Sequence, residues 1–158
     1  MLVALANDIL HAGPRGLGFL EAGWATGAII GGLLASQLPA VLRMPLYVAA
    51  CAGLAVGHMA TPFVAFLIGA VTMQILFGFC RALGGVVAQS SLMSIVPRHF
   101  MGRTQSAMAI LTTVVQLSMS IALGWVAQGA GLIAGYALLA LLYAGATISA
   151  IRARQLMR

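Results

Sequence analysis

Few residues of this 158-residue chain have side chains suited to catalysis or to metal binding. Asp8 and Glu21 are the two acidic residues, and all eight basic residues are arginines. Cys51 and Cys80 stand alone in apolar stretches, without the paired spacing of a metal site, and we expect small buried thiols. The sequence has no carboxylate pair, nucleophile motif or phosphate-binding loop, so it predicts neither an enzyme, a metal site nor a bound cofactor.

Five polar side chains fall inside long apolar stretches and are candidates for a transport path: Arg81, Gln74, Gln116, Glu21 and Gln89. Gln74 and Arg81 are seven residues apart and share one helical face. An arginine inside a membrane span costs at least about 2.5 kcal/mol on insertion scales, so it usually has a partner or lines a pathway. Arg81 is therefore either a residue of gating or substrate passage, or a structural arginine that pairs or reaches the lipid phosphates.

The other polar positions each allow two interpretations. Glu21 is either an interfacial carboxylate or a protonatable group, which leaves coupling to protons or another ion open. Gln89 and Gln116 either hydrogen-bond a substrate or bridge helices. We expect His58, near the end of a span, to be interfacial rather than a proton relay.

Composition predicts the elements that must position these residues. Apolar residues make up 62% of the chain, charged residues 6%, and the mean hydropathy is +1.07. Stretches of about 20 apolar residues suit a bilayer core of roughly 30 Å, and helices satisfy every backbone group within the span. We predict an all-α membrane protein with five full transmembrane helices, at about 17–38, 45–60, 63–90, 104–126 and 130–151.

The arginines predict an orientation in the membrane. Five spans place six of them on one side, against Arg15 on the other: Arg43, Arg98, Arg103, Arg152, Arg154 and Arg158. By the positive-inside rule that side is cytoplasmic, and so is the tail 152–158. The chain would then begin outside, so we expect residues 2–10 to be part of a sixth, partial helix. Scattered arginines favour the lipid bilayer, and not nucleic acid, as a partner.

Small residues predict how the helices pack. Gly23, Gly27 and Gly31 recur every four residues in the first span, and Gly131 and Gly135 repeat the spacing in the fifth. Lipid-embedded helices associate through close approach at such small residues. We therefore expect a tight bundle in which these five glycines contact neighbouring helices.

Three stretches resemble the major facilitator superfamily of transporters. Residues 16–32, GLGFLEAGWATGAIIGG, resemble its glycine-rich eighth helix, and residues 79–85, FCRALGG, resemble an arginine-glycine pattern of its fourth and tenth helices. Residues 96–103, VPRHFMGR, resemble its loop between the tenth and eleventh helices. The resemblance implies half of a major facilitator fold, built from inverted three-helix repeats. The C-terminal half is favoured, and the N-terminal half stays an alternative.

The resemblance also implies a function. It is that of an efflux-type secondary transporter of a bacterial inner membrane, which moves a small-molecule organic solute by alternating access. By carry-over, Pro97, Gly102 and Arg103 would belong to a conformational gate loop. A half-fold needs the missing N-terminal half or a second copy, so the other hypothesis is a truncated or split membrane module that does not transport by itself.

The predicted orientation has a direct test. Green fluorescent protein fused after Arg158 should fluoresce in bacterial cells, because the arginine bias places the C-terminus in the cytoplasm. Alkaline phosphatase fused at the same point should stay inactive. A dark fluorescent fusion together with an active phosphatase would contradict the predicted orientation.

Overall fold

Five long helices account for most of the chain. The structure, a computed structural model, describes residues 10–64 and 66–156. Its helices are α1 Gly13–Ser36, α2 Ala40–Ala60, α3 Leu67–Ile95, α4 Met101–Ala130 and α5 Leu132–Leu156, with short 3₁₀ turns at Thr61–Phe63 and Arg98–Phe100. No strand occurs in those two ranges, which confirms the predicted all-α class. The predicted partial helix 2–10 lies outside the described residues, apart from Leu10.

Proline chemistry explains where the first three helices differ from the predicted spans. α1 begins at Gly13, with Pro14 in its first turn. Proline lacks a backbone N–H, and it is tolerated there because the N–H groups of the first turn have no partner within the helix. α2 starts before Pro45, at Ala40, after an extended Pro39. α3 starts later than predicted, at Leu67, because Thr61–Phe63 forms a separate turn and Phe66 is extended.

A glycine marks the boundary between the last two helices. Gly131 has a φ of +86°, a conformation that favours glycine, and nothing lies within 4 Å of a Cβ built on it. It therefore separates α4 from α5, which corrects its predicted role in helix packing. Gly135 is buried in α5. The helix continues to Leu156, so most of the predicted tail 152–158 is helical.

The most extensive helix contact joins α1 to α3, side by side and parallel. Gly23, Gly27 and Gly31 are buried there against Val71, Ile75 and Phe79 in turn. A Cβ on Gly27 would overlap the backbone carbonyl of Ile75, and one on Gly78 would overlap the backbone carbonyl of Trp24. Each helix thus presents a glycine to the other's backbone, the close approach that holds helices together in lipid.

The remaining helices follow in a row from α3. α2 packs on α3 in the opposite direction, since Gly57 meets Phe77 while Gly84 meets Tyr47. α5 packs on α2, and α4 packs on α5. Only 6% of the α4 span is buried, against 22–33% of the other four. α4 is therefore the most exposed helix of the bundle.

The outside of the bundle is apolar. Ile29, Leu33, Ile68 and Leu141 are each more than half exposed, whereas an exposed apolar surface of this extent is unfavourable in water. All five helices are long and apolar enough to cross a membrane. These features identify the chain as an integral membrane protein.

The α1–α3 contact generates a prediction. Replacement of Gly27 by alanine should lower the melting temperature in detergent, because the new Cβ meets the Ile75 backbone and overpacking costs about 1–3 kcal/mol. The matched control is Gly32→Ala in the same helix, where nothing lies within 4 Å of the added Cβ. That variant should be neutral or slightly stabilised. Equal melting temperatures for the two variants would contradict the close approach.

Candidate functional site

Three cavities lie along α3 and α5. The His58 cavity, of about 300 Å³, is lined by residues of α1, α2, α3 and α5, with Thr61 of the turn after α2. The Tyr47 cavity, of about 180 Å³, lies between α2, α3 and α5. The Gln116 cavity, of about 520 Å³, lies between Arg81 of α3 and the helices α4 and α5. Because neighbouring cavities share lining residues, we treat the three together as one groove.

One face of α5 lines the whole groove. Leu139 lines both the His58 cavity and the Gln116 cavity, while Tyr143 and Ala146 line both the Gln116 and Tyr47 cavities. With Tyr136, these residues repeat at helical spacing on a single face. On α3 the lining extends from Ala70 to Ala88, about 27 Å at ~1.5 Å per residue. This length is close to the roughly 30 Å thickness of a bilayer core.

α2 supplies the residues of the groove between α3 and α5. Tyr47, Cys51, Leu54 and His58 line it at helical spacing, followed by Thr61 of the adjoining turn. The two cysteines are free, and Cys51 is buried. The Thr61 hydroxyl donates a 2.8 Å hydrogen bond to the Gly57 carbonyl, which caps the end of the helix. The α2 stripe therefore combines polar side chains with buried apolar ones.

His58 is held within an aromatic cluster formed with Phe77, Tyr136 and Tyr143. Its ring stacks on Phe77 at 4.4 Å and on Tyr143 at 5.1 Å between ring centroids, with Tyr136 at 6.4 Å. Nδ1 lies 2.7 Å from the Leu54 carbonyl oxygen. Because that oxygen can only accept, Nδ1 is the donor of this hydrogen bond. The ring is therefore held by contacts with Phe77 of α3 and Tyr143 of α5. The sequence had predicted an interfacial histidine without these contacts.

Arg81 is the middle residue of α3 and is exposed to the groove. It lines the Tyr47 and Gln116 cavities. Gln116, at the middle of α4, lines the second of these. The mid-helix position of Arg81 lies 14 residues from either end of α3, about 21 Å at ~1.5 Å per residue.

The groove brings together four of the five predicted path residues. Gln74 is buried and lines the His58 cavity with Glu21, which is itself exposed. Arg81 and Gln116 meet in the Gln116 cavity. Gln89 is exposed and lines none of the three cavities.

The predicted gate-loop residues lie at the link between α3 and α4. Pro97 precedes the 3₁₀ turn Arg98–Phe100, and its carbonyl accepts a 3.0 Å hydrogen bond from the Phe100 N–H. Gly102 and Arg103 are exposed in the first turn of α4. These residues form the connection between α3 and α4, beginning nine residues after Ala88, the last groove residue of α3.

Sequence reasoning missed the aromatic residues of the groove. Tyr136 and Tyr143 are seven residues apart on α5, and His58 is seven residues from Cys51 on α2. This spacing places each pair on one helical face, a signal present in the sequence. The cluster could not be predicted, because no local pattern in the sequence shows that α2 and α5 are neighbours.

The comparisons with protein families, with curated proteins and with solved structures found no match for this chain. The function of the groove therefore rests on its geometry and on the chemistry of its lining residues.

Proposed function

We propose that the chain is one half of a secondary transporter, and that the groove is its share of the substrate path. The observation that carries this proposal is the alignment of three cavities along one face of α3 and one face of α5. Their combined length is close to the thickness of a bilayer core. A solute that follows the groove would cross the membrane beside polar side chains instead of lipid tails.

The chemistry of the lining supports a path for a small organic solute. The groove presents an arginine, two glutamines, a carboxylate and a histidine among aromatic rings. Ligand sites commonly combine an apolar surface with a few polar groups that fix orientation. Polar groups at the depth of Arg81 and Gln116 would be costly toward lipid and belong beside water or protein.

A partner is part of the proposal, because the groove is open along its length. The polar residues Thr113, Gln116 and Ser120 of α4 are all exposed. The Thr113 hydroxyl bonds to the Ala109 carbonyl of its own helix at 2.9 Å, which lowers the cost of an apolar environment. A second half, either the missing N-terminal half or a second copy, would cover these residues and enclose the path.

The resemblance described above adds detail to the proposal. As the C-terminal half of a major facilitator transporter, the chain would work by alternating access in a bacterial inner membrane, with efflux as its direction. Ion coupling, for example to protons, would act through titratable groups of the groove such as Glu21 or His58. Pro97, Gly102 and Arg103 would belong to the gate between conformations.

The test of this function uses liposomes preloaded with a mixed panel of small organic solutes. The protein is reconstituted with the partner that co-purifies with it, and mass spectrometry identifies the solutes that leave. At least one solute should leave faster than from empty liposomes. Arg81→Ala should slow its release about tenfold or more at unchanged yield of folded protein, since loss of a charged hydrogen bond costs about 1.5–3 kcal/mol.

The control is Arg152→Ala, at an exposed arginine near the end of α5 that lines none of the three cavities. It should release solute at the wild-type rate. If the wild-type assembly releases no solute faster than empty liposomes, the transport proposal fails. The non-transporting membrane module would then be the better account.

A further inference from the structure

The charge of Arg81 lacks a carboxylate within its own cavities. The sequence contains two acidic residues, Asp8 and Glu21, and Glu21 is the only acid in the part of the chain that the structure describes. Glu21 lines the His58 cavity, whereas Arg81 lines the Tyr47 and Gln116 cavities. The guanidinium at the middle of α3 therefore faces hydroxyl, amide, thiol and apolar groups.

The surroundings of Arg81 are suited to an anion. A guanidinium carries five N–H donors in a planar fork that matches a carboxylate or phosphate. Gln116, Ser120 and Tyr143 line the same cavity and offer further N–H or O–H donors. The Gln116 cavity is the largest of the groove, at about 520 Å³, so it has room for an anionic group and part of an attached body.

The adjoining part of the groove is suited to an apolar or aromatic body. Tyr143 lines the cavities that contain Arg81 and also stacks on His58 at 5.1 Å. His58 in turn stacks on Phe77. Gln74 and Phe77 precede Arg81 by two turns and about one turn of α3, so the aromatic cluster lies next to the charge along the groove.

We infer that the groove binds organic anions, with the anionic group on Arg81 and an apolar or aromatic body against His58, Phe77 and Tyr143. This inference rests on the proposed function, because it names the class of substrate that would follow the path. The anion supplies the countercharge that the described part of the chain does not place beside Arg81. It also explains why a costly arginine occupies the middle of a membrane helix.

The experiment measures binding of three probes with the same aromatic body and different charge: 2-naphthoate, 2-naphthalenemethanol and 2-naphthylmethylammonium. The purified protein in lipid nanodiscs is titrated with each probe by calorimetry. The variants are Arg81→Gln, Arg81→Lys and the control Arg152→Gln, at an exposed arginine of α5 that lines none of the three cavities. Circular dichroism and elution volume establish that each variant is folded.

The wild-type protein should bind 2-naphthoate at least tenfold more tightly than the neutral alcohol. Arg81→Gln should remove this preference, Arg81→Lys should retain part of it, and Arg152→Gln should leave it unchanged. The inference is overturned if 2-naphthoate binds no better than the alcohol, if the ammonium probe is preferred, or if Arg81→Gln keeps the preference.

The transport assay separates this inference from the proposed function. Release of a neutral or cationic solute without any preference for 2-naphthoate would overturn anion recognition and leave transport standing. Charge-selective binding that depends on Arg81, in an assembly that moves no solute, would support the anion site while the transport proposal fails.

Discussion

The backbone contact between α1 and α3 determines which face of α3 is left to line the groove. In lipid, apolar side chains gain little by contacting one another, so helices are held by close approach at small residues. Gly27 lies on the Ile75 backbone and Gly78 on the Trp24 backbone, which fixes the rotation of α3 about its axis. The face with Gly78 is thereby packed against α1. The neighbouring face, with Phe77 and Arg81, is left for the groove.

The contact between α1 and α3 turns Arg81 toward the groove, and the residues around Arg81 suit a charged side chain. A charge at the middle of a membrane helix is tolerated where water, protein or a ligand replaces lipid. α2 packs on α3 and α5 packs on α2, and together they contribute Tyr47, Tyr143 and small residues such as Ala50 to the cavity that Arg81 lines. α4 adds Gln116 from the far side of its cavity. Arg81 and Gln116 are exposed because the groove that they line is open on one side.

Composition and periodicity sufficed to predict five membrane helices, because length and hydropathy are local properties of the sequence. The four-residue spacing of Gly23, Gly27 and Gly31 also predicted a close helix contact, although not that its partner is α3. Gly131 was wrongly assigned to packing, because spacing alone does not distinguish a small packing residue from one chosen for its positive φ. The aromatic cluster around His58 was missed for another reason: it joins three helices whose neighbours are set by tertiary packing.

The central claim is that one face of α5 borders a water-accessible groove while the opposite face contacts lipid. Single cysteines at Leu139 and Ala146 on the groove face, and at Leu141 and Ile148 on the opposite exposed face, test it in a Cys51→Ala, Cys80→Ala background. The measurement is the rate of reaction with a water-soluble maleimide in reconstituted membranes, since thiols react as thiolates, which need water. The account predicts rates at least about tenfold higher on the groove face. Equal rates on both faces, or faster reaction at Leu141 and Ile148, would contradict it.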